Sequence, residues 1–249
     1  MEWFNRIKRL FGRGPTEWGL RIARDKQRTE LFLAKYLKPE FNAIDIGAHE
    51  GEFLKLFLRY APHGRHRAFE PLPEYAEKLK MEFAGVDVQQ VALSNETGEV
   101  VFYRAVGAEA MSGLKSQHYP GHVTPQPFTV RVFPLDDLVP AEEPIHFIKI
   151  DVEGAELNVL KGAKRILKKS RPAVMFEFAK LHAAPYQVTP ADLFAFFEDM
   201  NYRVLRLDGG VAYTLADFEE NFHKAHQSGY DRHAETNFLA LPAEQILNG

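Results

Sequence analysis

Cysteine is absent from the 249 residues. That excludes disulfides, thiolate nucleophiles and cysteine-bound zinc or iron–sulfur centres, and it fits a reducing compartment. Long apolar runs are missing as well. No stretch approaches the roughly eighteen residues needed to span a bilayer, and no secretory signal opens the chain, so a cytoplasmic location is the expectation. Nor does charge of one sign dominate: 31 Lys and Arg stand against 34 Asp and Glu, for a formal net charge of -3. No overall basic field advertises a nucleic-acid partner. What is present is globular composition, 45% hydrophobic and 26% charged, ample for one core. Asn95-Glu96-Thr97 is formally a glycosylation sequon, without meaning in a chain that lacks an export signal.

The chain is organised around Ala43-Ile44-Asp45-Ile46-Gly47-Ala48-His49-Glu50-Gly51-Glu52-Phe53. Its first half is a short apolar run that suits a buried strand, while Phe53, Leu54, Phe57 and Leu58 repeat at helical spacing. A strand turning sharply into a helix is expected. Gly47 and Gly51 are places where a ligand can lie against bare backbone; the alternative is an ordinary strand-to-helix turn. His66-Arg67-Ala68-Phe69-Glu70 then reads as a second strand ending in an acid. The interval from Gly47 falls near the roughly twenty residues that place a carboxylate on a ribose, which makes Glu70 a candidate ribose-diol ligand. The third glycine of a dinucleotide fingerprint is missing. An adenosine-bearing ligand without the pyrophosphate fits better.

Elsewhere, residues 1–13 put Trp3, Phe4, Ile7, Leu10 and Phe11 on one helical face among basic residues. Such a helix either packs on the domain or a twin subunit, or makes weak contact with an anionic membrane surface. A helix over 17–37, a helix after Pro71-Leu72-Pro73 and a third strand over 86–93 complete a strand–helix rhythm. That is the rhythm of a doubly wound parallel sheet, whose ligands sit beyond the carboxyl ends of its strands. Residues 100–106 and 128–133 look like an inserted antiparallel pair. Between them 111–122 is long, polar and aromatic, and is expected to be a lid with Leu114 and Tyr119 to pack with. Strands over 146–151, 173–178, 202–207 and 237–241 and a helix over 189–200 finish the pattern. The expected organisation is a helical extension, 1–40, and one domain, 41–249, with the hairpin and lid at about 98–134.

Taken together, Ile44 to Phe53, Phe69-Glu70-Pro71-Leu72-Pro73, Val91-Ala92-Leu93-Ser94, Leu135-Asp136-Asp137-Leu138, Ile148-Lys149-Ile150-Asp151-Val152-Glu153-Gly154-Ala155-Glu156 and Arg171-Pro172 leading to Glu177 resemble the FkbM family of S-adenosylmethionine-dependent methyltransferases, in the family's order. The resemblance implies the class I methyltransferase fold, a Rossmann-like, mostly parallel α/β sheet with an antiparallel last strand. It also implies that Asp45, Gly47, Gly51 and Phe53 surround the amino acid half of S-adenosyl-L-methionine. Glu70, beside Pro71, would hold the ribose hydroxyls and Ala92 would flank the adenine. His49 stands where the family usually has asparagine, and is taken as a further cofactor contact.

Methyl transfer to a hydroxyl needs the acceptor held in line and a base to take its proton. Asp151, Glu153 and Glu177 all end strands or open the turns after them. Each has a structural alternative: Asp151 binding only the cofactor's amino group, Glu153 favouring the following helix through its charge, Glu177 pairing with a Lys or Arg. Asp151 and Glu153 are expected to be functional, with Glu153, or failing it the lid's His118, acting on the acceptor. His182 reads as a solvated loop residue. No metal ligand set is expected: Glu156 should point along its helix instead of joining Asp151 and Glu153 on magnesium, and Asp231, His233 and Glu235 read as a polar strand edge. The expected acceptor is a small molecule or glycan carrying a hydroxyl. Methylation of a small amine and a non-catalytic binding module are the alternatives. Oligomeric state is open.

Overall fold

The computed structural model describes residues 17–116, 123–227 and 234–246. The amphipathic stretch 1–13, His118, Tyr119, Asp231 and His233 lie outside the described residues.

The chain enters through α1 (Glu17–Tyr36), β1 (Ala43–Ile46), α2 (Glu52–Tyr60), β2 (Arg67–Phe69), α3 (Pro73–Glu82) and β3 (Asp87–Gln89). It passes through β4 (Ala92–Leu93), β5 (Gly98–Ala105) and β6 (Pro125–Phe133) to α4 (Leu135–Leu138), β7 (Phe147–Ile150), α5 (Glu156–Lys161) and α6 (Lys164–Lys169). It closes with β8 (Ala173–Glu177), α7 (Lys180–Ala183), α8 (Pro190–Asp199), β9 (Tyr202–Arg206), α9 (Leu215–Gln227), β10 (Asn237–Pro242) and α10 (Ala243–Ile246).

Among the described residues the main sheet has the order β3-β2-β1-β7-β8-β10-β9. All neighbours run parallel except β10, which is antiparallel to both β8 and β9. This is the mostly parallel α/β sheet with an antiparallel last strand that was expected. Its strands are near-continuous apolar runs because helices cover both faces. The alternation of side chains sorts them: Ile44, Ile46, Ile148, Ile150, Val174 and Phe176 join one apolar cluster, while Ala43, Phe147, Ala173 and Met175 join the other. By the same alternation Asp45 and Lys149, opposite each other in the β1–β7 register, point to the second face. That face carries α1, whose Leu33, like Leu37 just past its end, is buried and whose Arg28 pairs with Glu235 at 2.6 Å. The N-terminal helix is thus clamped onto the domain, and Glu235 serves as its anchor.

A smaller sheet, β4-β6-β5, holds the inserted pair in antiparallel register, with Phe102 opposite Phe128. One sequence expectation is corrected here. Residues 86–93 are not a single strand. A tight turn closed by Val91 N–H to the Gln89 carbonyl (3.1 Å) sends the chain from the main sheet, where Gln89 faces Phe69, to the small one, where Ala92 faces Val132. This transfer places the small sheet's apolar cluster, Leu72, Ala92, Phe102, Val130 and Val132, over the ends of β1 and β2. No helix among the described residues is long and apolar enough to cross a membrane.

Candidate active site

Strand order reverses between β1 and β7, and the crevice beyond their carboxyl ends is where such sheets bind ligands. The β1–α2 turn forms one side of it. Gly47 N–H donates to the Phe69 carbonyl at 2.9 Å, tying the turn to β2. Gly47 has φ +77, and a Cβ there would stand 1.9 Å from the Asp151 carbonyl oxygen. The glycine is needed for strand packing. Gly51, at φ +74, instead packs against the α3 end, where the space for a Cβ is filled by the side-chain tips of Phe83 and Leu79, at 2.6 and 2.8 Å.

Glu70 is buried, 4% exposed, at the floor of the crevice. It accepts from His49 N–H at 2.8 Å and from Leu72 N–H at 2.9 Å, so it staples the β1–α2 turn to the β2–α3 turn. Burial raises its carboxyl to about 7, against the opposing pull of these two N–H groups. His49 adopts φ 44 and lays its ring 4.2 Å from that of Tyr75. Burial lowers its pKa, favouring the neutral imidazole.

The other side is the turn after β7. Lys149, 2% exposed, donates to Asp151 at 2.9 Å and lies 5.2 Å from the Phe53 ring centre. Loss of solvent raises the Asp151 carboxyl, with Lys149 opposing. Glu153 follows in the left-handed region at φ 56, and Gly154 at φ 104. A Cβ on Gly154 would lie 2.0 Å from the His182 carbonyl, so α7 docks directly on this turn. Glu156 does not point along its helix. It turns back to accept from Val152 N–H (3.2 Å) and Gly154 N–H (3.1 Å), holding the turn that presents Glu153. Nor is His182 a solvated loop residue. Its Nδ1 lies 3.3 Å from Glu153 Oε2 and 3.6 Å from Glu177 Oε2.

Between the two sides runs one cavity of about 870 Å³, counting its open mouth. Ala92, Leu72, Phe102 and Leu114 give it an apolar wall. Glu70, Pro71, His49 and Gly47 line it as well, together with the carboxylates of Asp151, Glu153 and Glu177. Six of the residues expected to touch the cofactor are therefore brought together with Glu153. Asp45, Gly51 and Phe53 are not on this wall. Phe53 lines a second cavity, between α1 and α2, which shares Asp151 and Glu177 with the first and adds Lys149. Asp45 is buried beside Lys149, and burial raises it to about 7. Sequence reasoning missed the buried Lys149, the wall residue Phe102 and the placement of His182; only Lys149, a charge inside an apolar strand, carried a visible signal.

Residues 45–204 match the model of the methyltransferase FkbM domain. The 2-O-methyltransferase NoeI of Sinorhizobium fredii (strain NBRC 101917 / NGR234) is 29% identical over 150 residues, which are 54% of this chain and 62% of that protein. The chain therefore spans less than two thirds of that curated relative. A crystal structure of methyltransferase FkbM from Methylobacillus flagellatus KT superposes with a TM-score of 0.51 at 16% identity, covering 96% of this chain and 70% of the other, which shows a shared fold. The matched stretch holds every element around the crevice except α1 and the last strand, and on that ground the chain belongs to the FkbM methyltransferase family.

Proposed function

We propose that the protein methylates a hydroxyl group of a sugar, glycan or secondary metabolite. The observation that carries this reading is a single cavity lined by a buried, backbone-tethered carboxylate, Glu70, and by the three further carboxylates of Asp151, Glu153 and Glu177. The residues present fit S-adenosylmethionine. Glu70 keeps further lone pairs for the ribose hydroxyls, the Ala92 and Phe102 wall suits a flat base, and the acidic lining suits a cationic sulfonium. When bound, that cofactor supplies an electrophilic methyl group. Glu70 and Pro71 would fix its ribose, Ala92 and Leu72 would exclude water from its base, and Asp151 would meet its amino acid half. Glu153, held in an uncommon backbone conformation and facing the cavity, would take the acceptor's proton. The 2-O specificity of the relative NoeI supports oxygen as the acceptor atom.

The test is calorimetric titration with S-adenosylmethionine and S-adenosylhomocysteine, followed by mass spectrometry of products from a panel of polyhydroxylated acceptors and amines. Micromolar binding and a methyl ether product are expected; N-methyl products only, or no binding, would end the reading. Binding should also depend on pH. Free Glu70 holds its proton until about 7, far above the usual carboxyl range, and the ribose hydroxyls need the ionised form as acceptor. Affinity for S-adenosylhomocysteine is therefore expected to rise as pH increases through about 7, and Glu70→Gln to flatten that rise. A wild-type affinity independent of pH would place the ribose elsewhere.

A further inference from the structure

We propose that His182 is a positioning residue for methyl transfer, wedged as an imidazolium between Glu153 and Glu177 so that both carboxylates stay ionised and face the cavity where the acceptor gives up its proton. The proposal rests on the methyltransferase reading of the site. Its basis is the convergence of three chain segments that are far apart in sequence or turn away from one another. Glu153 leaves the turn after β7, Glu177 ends β8, and His182 lies on α7, with Nδ1 at 3.3 and 3.6 Å from the two carboxylates. The His182 side chain is only 17% exposed. The arrangement is built in, because the Gly154 backbone rests against the His182 carbonyl and leaves no room for a side chain.

Electrostatics require such a group. Asp151, Glu153 and Glu177 line one cavity, with Glu177 next to Asp151 and across His182 from Glu153, and neighbouring carboxylates cannot all remain ionised without cations among them. Lys149 serves Asp151 at 2.9 Å. Glu153 and Glu177 are served by His182. The groups facing His182 are Glu177 from β8 and Glu153 and Glu156 from the turn after β7 and α5, with Asp151 and Lys149 beyond Glu177 and Tyr186 near Glu153 and Glu156. Burial alone would lower the imidazole's pKa, yet the Glu177 contact and the acidic surroundings push it up to about 9. The same contact, overcoming the effect of burial, holds the Glu177 carboxyl well below its usual range.

The proton balance is simple. The acceptor's O–H bond breaks, its electron pair forms the new O–C bond, the C–S pair stays on sulfur, and the proton passes to Glu153. A carboxylate already protonated at rest could not receive it. Keeping Glu153 ionised is thus a precondition for the step, and that is the work assigned to His182.

The experiment is NMR on protein carrying 15N-histidine and 13Cδ-glutamate, titrated with pH in the presence of S-adenosylhomocysteine. His182 is identified by the signal lost in His182→Gln. The wild-type imidazole is expected to be doubly protonated at about pH 7.5, with Glu153 and Glu177, each assigned by the signal lost in its Gln variant, ionised there, while the buried Glu156 titrates separately at about 7. In His182→Gln the midpoint of Glu153 or Glu177 should rise by roughly one pH unit or more, and His182→Lys, which returns a cation, should bring it back. A structural role alone would move none of these midpoints. A neutral wild-type His182, unchanged glutamate midpoints in His182→Gln, or saturable Mn2+ binding at Glu153, Glu177 and His182 would overturn the proposal. Both His182 variants should bind S-adenosylhomocysteine within about threefold of wild type, since His182 is not on the cofactor wall. Failure of the wild type to bind it would remove the methyltransferase reading, and this proposal with it.

Discussion

Glu70→Ala is expected to weaken S-adenosylmethionine binding roughly ten- to hundredfold in a calorimetric titration, a loss on the order of 1.5–3 kcal/mol for a hydrogen-bonded charged acceptor. The carboxylate does two jobs. It faces the cavity, and its two oxygens hold His49 N–H and Leu72 N–H at 2.8 and 2.9 Å. Alanine would strip both amides of their acceptor and free the β1–α2 turn from the β2–α3 turn. Stability moves in opposite directions at once. The orphaned amides cost free energy, while removal of an ionised carboxylate that burial already disfavours relieves some. Melting temperature should therefore shift by much less than affinity does. Glu70→Gln keeps one acceptor oxygen but sets an amide donor against a backbone N–H, so an intermediate loss is expected. Unchanged affinity in Glu70→Ala would show that the ribose does not lie on this residue.

How much of this site was legible in the sequence depends on how local each signal is. The strand–turn–helix from Ala43 to Phe53 is a local pattern, apolar run to helical spacing, and it appears as β1 and α2. Glu70 was legible because the acid closes a recognisable strand. The expected hairpin forms because aromatic and β-branched residues alternate on both its strands. By contrast, the split of residues 86–93 leaves no trace in periodicity, since alternation continues while the partner sheet changes. Glu156 was misread because helical geometry alone aims it along α5, whereas the amides of the preceding turn recapture it. His182 meets Glu153 only through the packing of α7 against Gly154, a tertiary event that no window of sequence contains. One overlooked element did carry a signal. α9 is opened by Thr214, whose hydroxyl accepts from Asp217 N–H at 3.2 Å, and Phe218 and Phe222 follow at helical spacing into the core.

Gly47→Ala is expected to be strongly damaging, lowering stability by roughly 3 kcal/mol or more. Two effects add. An alanine at φ +77 sits in the left-handed region, at a cost of about 1 kcal/mol over glycine. Its Cβ would also stand 1.9 Å from the Asp151 carbonyl oxygen, a backbone atom that cannot rotate away. That carbonyl belongs to a residue whose N–H is bonded to the Ile46 carbonyl at 3.0 Å, and Gly47 N–H is bonded to Phe69 at 2.9 Å. Relief of the clash therefore requires β1 and β7 to separate at their carboxyl ends, where the cavity opens. Melting temperature should fall by roughly 6 °C or more for a domain of this size, and cofactor binding should fall with it because Asp151 and His49 move apart. Gly85→Ala is the matched control: it lies between α3 and β3, and an added Cβ meets nothing within 4 Å. It should melt with the wild type. If Gly47→Ala also melts with the wild type, the strand ends are more compliant than their hydrogen bonds indicate, and the turn owes its glycine to the ligand instead of to the sheet.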